Sequence, residues 1–150
     1  MANTQVPLGA PVSSYETYGN GYIQATAVVP GTVFGSQQCW IASPDSKWVL
    51  IMQKDGNFVL YYVVNTPKPL AQNVIFTGDP KFESKTYTKD GAICTVTSDG
   101  YVRVTLGETD LWHVGSGNTP AGLYLQVDGN LVLYELAEQP SWNTGPNTGP

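Results

Sequence analysis

The sequence predicts an all-β domain made of three internal repeats, each a hairpin with one apolar face and one face of mixed character. Three observations carry this expectation. Gln126-Val127-Asp128-Gly129-Asn130-Leu131-Val132-Leu133-Tyr134 repeats an earlier stretch, Gln53-Lys54-Asp55-Gly56-Asn57-Phe58-Val59-Leu60-Tyr61, and both read Gln-x-Asp-x-Asn-x-Val-x-Tyr. Asp-Gly steps at Asp55, Asp99 and Asp128 are flanked by alternating apolar residues, the strongest short-range hairpin signal. The composition, 41% apolar with 16 Gly, 11 Pro and only 13% charge, suits strands joined by short turns, and no long amphipathic helix is visible. At 150 residues the chain is expected to be one domain with a real core.

Residues 1–42 form an N-terminal extension to the repeats. Its short apolar runs, Val28-Val29, Val33-Phe34 and Trp40-Ile41, are separated by Pro30, Gly31 and Gly35, which predicts two or three short strands. Tyr15, Tyr18 and Tyr22, with Gly19 and Gly21 among them, read as a loop packed on a sheet, although tyrosine clusters also occur at binding surfaces.

The first repeat, approximately 43–83, contains the first copy of the motif. Its inward face is expected to carry Trp48, Leu50, Met52, Phe58 and Leu60, with Gln53, Asn57, Val59 and Tyr61 outward. Val49 and Ile51 also point outward, more apolar than a solvated face needs, so they should be covered by the N-terminal segment or by a second subunit. Phe76 lies 21 positions after Asp55, whereas Trp112 and Trp142 lie 13 and 14 positions after Asp99 and Asp128. The simplest account is an extra loop of about seven residues, marked by Pro67 and Pro69, with Phe76 in the slot that Trp fills elsewhere.

The second repeat, approximately 84–115, is an internal control. Its inward face keeps Cys94, Val96, Val102 and Val104, but its outward face carries Thr97, Asp99, Tyr101, Arg103 and Thr105. The scaffold therefore folds without the motif's Gln, Asn and Tyr, and their presence in the other two repeats calls for another reason. Asp persists at all three turns and is explained equally well as a turn former. Cys94 takes the inward place of Leu50 and Leu123, so a buried free thiol is expected rather than a bond to Cys39.

The third repeat, approximately 116–145, fixes the hairpin register. A two-residue loop at Asp128-Gly129 would put Gln126 opposite Leu131 and mix the faces. A three-residue loop, Val127-Asp128-Gly129, with Gly129 in a left-handed bulge position, sets Gln126 opposite Asn130, Tyr124 opposite Val132 and Gly122 opposite Tyr134. Leu123, Leu125, Leu131 and Leu133 then share the other face. Three such repeats close around a common axis as a triangular prism of sheets, with Trp48, Trp112, Trp142 and Phe76 as candidates for its centre. A short tail, 146–150, follows.

The twofold Gln-x-Asp-x-Asn-x-Val-x-Tyr pattern, with Trp at a matched offset, resembles the sugar-binding signature of the monocot mannose-binding, or bulb-type, lectins over roughly residues 43–145. The resemblance implies a β-prism II fold of three four-stranded antiparallel sheets with pseudo-threefold symmetry. It also implies two mannose sites, one of Gln53, Asp55, Asn57, Val59 and Tyr61, the other of Gln126, Asp128, Asn130, Val132 and Tyr134. In that family Asp and Asn hold the axial 2-hydroxyl, Gln the 3-hydroxyl, Tyr the 4-hydroxyl, and Val packs on the ring. The residue types suit the task independently, because hydroxyls both donate and accept and need a carboxylate, amides and a phenol displayed together. Repeat two, with Arg103 in the Val slot, is expected to be dead or to bind something else. The family also exchanges C-terminal strands in dimers, so a homodimer is one arrangement the resemblance allows, with exchange reaching no further than about Trp142.

Other functions find little support in the residues. His113 is the single histidine, no Cys/His metal cluster is visible, and Glu108 and Asp110 beside a turn read as solvated charge, so neither a cofactor nor catalysis is expected. A net charge of −5 with seven Lys and Arg argues against nucleic acid or an anionic membrane as partner. No bilayer-spanning run and no leader-like N-terminus are seen, so a soluble protein is expected, released by another route or acting inside the cell. The expected partners are mannose or mannose-rich glycans. The other reading in play is a prism-fold toxin, bacteriocin-like or defence module acting through protein contacts, with vestigial sugar sites.

Overall fold

The computed structural model describes residues 3–19, 22–66 and 69–146. Pro67 of the expected loop and residues 147–150 of the expected tail lie outside these. The described residues form strands and turns with no helix, in three antiparallel sheets. At the centre of each sheet is one repeat hairpin: β6 (Trp48–Met52) with β7 (Phe58–Val64), β9 (Ile93–Val96) with β10 (Tyr101–Leu106), and β12 (Pro120–Gln126) with β13 (Leu131–Glu135). Each hairpin continues into the strand that follows it, respectively β8 (Ile75–Glu83), β11 (Thr109–Gly115) and β14 (Pro140–Asn143). The last strand therefore pairs with β13 of its own chain.

The segment before residue 43 is structured far more than its sequence suggests. On the open side of each hairpin lies one of its strands: β3 (Gln24–Val28) beside β12, β4 (Val33–Phe34) beside β9, and β5 (Cys39–Ala42) beside β6. One stretch thus ties all three sheets together. Two further strands, β1 (Thr4–Pro7) on β8 and β2 (Tyr15–Tyr18) on β3, enlarge two of the sheets from four strands to five. The expected loop around Tyr15 and Tyr18 is therefore partly an edge strand. Its alternation was masked because both of its faces are polar or aromatic.

The three inward faces meet as the periodicity requires. Leu50, Met52, Phe58 and Leu60 pack with Cys94, Val96, Val102 and Val104 and with Leu123, Leu125, Leu131 and Leu133 in one buried cluster that also takes in Trp48, Phe34 and Ile41. Cys94 is a buried free thiol, and desolvation pushes it well above the usual thiol range.

Phe76 does not occupy the tryptophan slot. The register places Phe82 opposite Leu60, as Trp112 stands opposite Val104 and Trp142 opposite Leu133. Phe82, Trp112 and Trp142 form a three-ring cluster where the sheets meet, with centroids 5.4 to 6.0 Å apart, an arrangement in the favourable range for tilted aromatic pairs. The insertion is longer than expected because it lengthens both β7 and β8 beyond their counterparts before the loop begins. Phe76 sits on that arm, faces outward, and pairs with Val6 of β1.

Immediately after each of these ring positions the ladder slips, between Leu60 and Tyr61, Val104 and Thr105, and Leu133 and Tyr134. A bulge adds local twist and re-aims the next side chain. In repeats one and three that side chain is the tyrosine of the motif.

Candidate functional site

The turns form in the three-residue register. Gln126 N donates to Asn130 O at 3.0 Å, Gly129 N donates to Gln126 O at 3.0 Å, and Gly129 has φ +83, a backbone state open to glycine at little cost. The first turn has the same pair of bonds, Gln53 N to Asn57 O at 2.9 Å and Gly56 N to Gln53 O at 3.0 Å. In both, the aspartate Oδ1 accepts the amide of the motif asparagine at 2.9 Å, so the carboxylate shapes the turn it stands on.

One polar relay recurs on both outer faces. The Tyr134 phenol donates to Gln126 Oε1 at 2.8 Å, and Gln126 Nε2 donates to Asp128 Oδ1 at 3.2 Å. The Tyr61 phenol likewise donates to Gln53 Oε1, and Gln53 Nε2 to Asp55 Oδ1 at 3.2 Å. These bonds fix the side chains before any ligand arrives, which lowers the ordering cost of binding. Burial, and then the charges of Asp55 and Glu83, push the Tyr61 phenol up to about 12, so it remains a donor at neutral pH.

Beyond the relay the two faces part. In the third repeat Gln126, Asp128, Asn130, Val132 and Tyr134 all line one open depression of about 390 Å³, walled by Ile23, Asn143, Pro140 and Pro146. Asn130 Oδ1 accepts Gly145 N at 2.8 Å, and its Nδ2 makes no bond among the described residues. In the first repeat Gln53, Asp55 and Tyr61 line a depression of about 280 Å³ whose other walls are Thr4 to Pro7 of β1 with Gln38 and Lys54.

Asn57 and Val59 lie outside that depression. Asn57 Nδ2 donates to Glu83 Oε1 at 3.1 Å, while its Oδ1 accepts Ser84 Oγ at 3.3 Å and Thr86 N at 3.2 Å, so both ends of the amide are engaged by the chain itself. Val59 is buried in a second apolar cluster with Val6, Leu8, Trp40, Val49, Ile51, Tyr61 and Phe76. The N-terminal segment is thus what covers Val49 and Ile51. Gln38 staples it down, donating from Nε2 to Pro7 O at 2.8 Å and accepting Lys54 N at 2.7 Å.

On the second repeat Arg103 bonds Asp110 at 2.5 Å and lies 4.3 Å above the Tyr101 ring, and His113 Nδ1 stands 3.0 Å from the same carboxylate. Arg103 stands at the register position that Val132, itself 1% exposed, holds on the third face. Val49 and Ile51, apolar on an outer face, were the local sign that the first face is covered. No local signal marks Ile23 and Asn143 as walls of the third, because Asn143 arrives through the pairing of β14 with β13 and Ile23 just ahead of β3, which pairs with β12.

Neither a protein-family model nor a curated protein sequence matches the chain. Among solved structures it is similar to the monomeric monocot mannose-binding lectins of Gastrodia elata, at a TM-score of 0.61 and 23% identity, over 81% of this chain and 97% of that one. The fold is accordingly a β-prism II.

Proposed function

We propose that the chain is a non-catalytic carbohydrate-binding protein, a single domain that holds one α-mannose-type sugar on the outer face of its third repeat. The observation that supports this most is that Gln126, Asp128, Asn130, Val132 and Tyr134 line a single open depression with their polar atoms already tied to one another. Asp128 and Asn130 take the axial 2-hydroxyl, Gln126 the 3-hydroxyl and Tyr134 the 4-hydroxyl, and Val132 packs on the ring carbons. The fold shared with lectins that bind mannose agrees with this reading.

The first repeat keeps the relay, but its asparagine is engaged at both ends by the chain and neither it nor Val59 lines the depression, so this face contributes little to binding. Four hydrogen bonds at roughly 1 kcal/mol net each, offset by association costs, correspond to an affinity near millimolar for a monosaccharide. Mannose-rich glycans, which present many copies of the sugar, are the class of ligand such a site can use.

Calorimetric titration with methyl α-mannoside is expected to give one site per chain. Methyl α-glucoside, which differs only in an equatorial 2-hydroxyl, is expected to bind at least about tenfold more weakly, since a misplaced hydroxyl leaves Asp128 and Asn130 unmatched. Equal heats for the two sugars, or none for either, would reject the proposal.

A further inference from the structure

Beside the third-repeat depression, and sharing Tyr134 with it as a common wall, lies a second, narrower cleft of about 60 Å³. Its lining includes Tyr18, Gly19, Tyr124, Glu135 and Glu138. Ile23 borders the first hollow and Gly19 the second, and Gly19 N donates to Ile23 O at 2.6 Å while Tyr22 N donates to Gly19 O at 3.1 Å. A Cβ on Gly19 would fall 2.4 Å from Gln126 Oε1 and 3.2 Å from the Tyr134 phenol oxygen, so a side chain there would have to displace the glutamine of the relay.

The rings of this cleft are placed by the same strand. Tyr124 meets Tyr134 edge to face at 5.0 Å, and burial first, then the neighbouring Tyr15 of β2, pushes its phenol up to about 12. Tyr18, at the end of β2, keeps 64% of its surface exposed. An exposed tyrosine bordering a polar cleft offers what a pyranose needs, a flat apolar face beside hydrogen-bonding groups.

Resting on the sugar-binding reading, we propose that this cleft is a second subsite, which takes the neighbouring residue of an oligosaccharide whose first mannose occupies the third-repeat depression. The space holds about two waters' worth of volume, so it receives a hydroxymethyl group or one edge of a ring while the rest of that sugar lies on Tyr18. Glu135 Oε2 already accepts Ser116 Oγ at 2.8 Å and Asn118 Nδ2 at 3.0 Å, and the negative charges of Glu135 and Glu138 beside the cleft repel carboxylates, which selects a neutral second sugar over a uronic acid. Residues 15–19, a stretch outside the repeated motif, thereby set which glycan is preferred.

The test compares methyl α-mannoside with the α-linked mannose disaccharides by calorimetry, for the unaltered protein, Tyr18→Ala and Tyr18→Phe. At least one disaccharide is expected to bind the unaltered protein about three- to tenfold more tightly than the monosaccharide. Tyr18→Ala is expected to remove this gain without changing monosaccharide affinity, and Tyr18→Phe to retain it. Both variants are expected to fold, since the side chain is largely exposed. A gain that is absent, or that survives in Tyr18→Ala, would overturn the subsite and leave the first site standing. If neither ligand binds, the sugar reading itself falls and the subsite with it.

Discussion

Asp128→Ala is expected to lower affinity for methyl α-mannoside by about tenfold to a hundredfold, while Asp55→Ala changes it by less than about twofold. The two substitutions are matched controls. Each removes an acceptor 2.9 Å from the amide two residues on, and each removes the partner of a glutamine amide at 3.2 Å, so any cost to the turn is shared. The difference lies in what else each carboxylate faces. Asp128 shares its depression with Asn130 and Val132. Asp55 shares its own with the backbone and side chains of β1. Calorimetry on both variants, with denaturant midpoints as a check on folding, reads the difference directly. Equal losses would mean that the first face binds sugar despite its cover.

The second large effect concerns that cover. Phe76→Ala is expected to cost about 3–5 kcal/mol of folding stability, because the ring is fully buried between β1 and Tyr61, which it meets edge to face at 5.5 Å. Ile75→Ala, one position away and 59% exposed, should cost less than about 0.5 kcal/mol. The contrast follows from strand alternation on β8, where one residue faces β1's apolar side chains and the next faces water. Urea unfolding measures both. A loss for Phe76→Ala below about 1 kcal/mol would mean that β1 does not seal the first face.

These two results depend on features that differ in how well the sequence announces them. The hairpins were legible because period-two alternation admits one register only: a slip of one residue would have turned Leu131 and Leu133 outward and Gln126 inward. The pairings Tyr124 with Val132 and Gly122 with Tyr134 appear as that argument requires. The central ring cluster was legible in kind but not in address. Phe76 and Phe82 both follow the first hairpin at an apolar position, and only the length of the β7–β8 arm decides which returns to the axis. An arm that pairs with a strand from the other end of the chain leaves no local mark.

The same physical reason hides what surrounds the first copy of the motif. Gln53, Asp55, Asn57, Val59 and Tyr61 match their counterparts letter for letter, and their relay forms as in the third repeat. What differs is contributed from afar: Val6 of β1, Leu8 just after that strand, and Glu83 from the end of β8. A motif specifies its own side chains and says little about what a non-local strand lays over them. Val49 and Ile51 were the available clue, since apolar residues on an outer face require a cover. In the third repeat the corresponding places hold Gly122 and Tyr124, and Val132, though only 1% exposed, lines the open depression.

The central claim is that one outer face, that of the third repeat, receives the sugar. Backbone amide spectra recorded during titration with methyl α-mannoside test it most directly. Saturable shifts are expected at Asp128 to Tyr134 and at Gly145, whose amide is bonded to Asn130 Oδ1, with the amides of Gln53 to Tyr61 unmoved. Shifts confined to Gln53 to Tyr61, or none at either hairpin, would contradict the account.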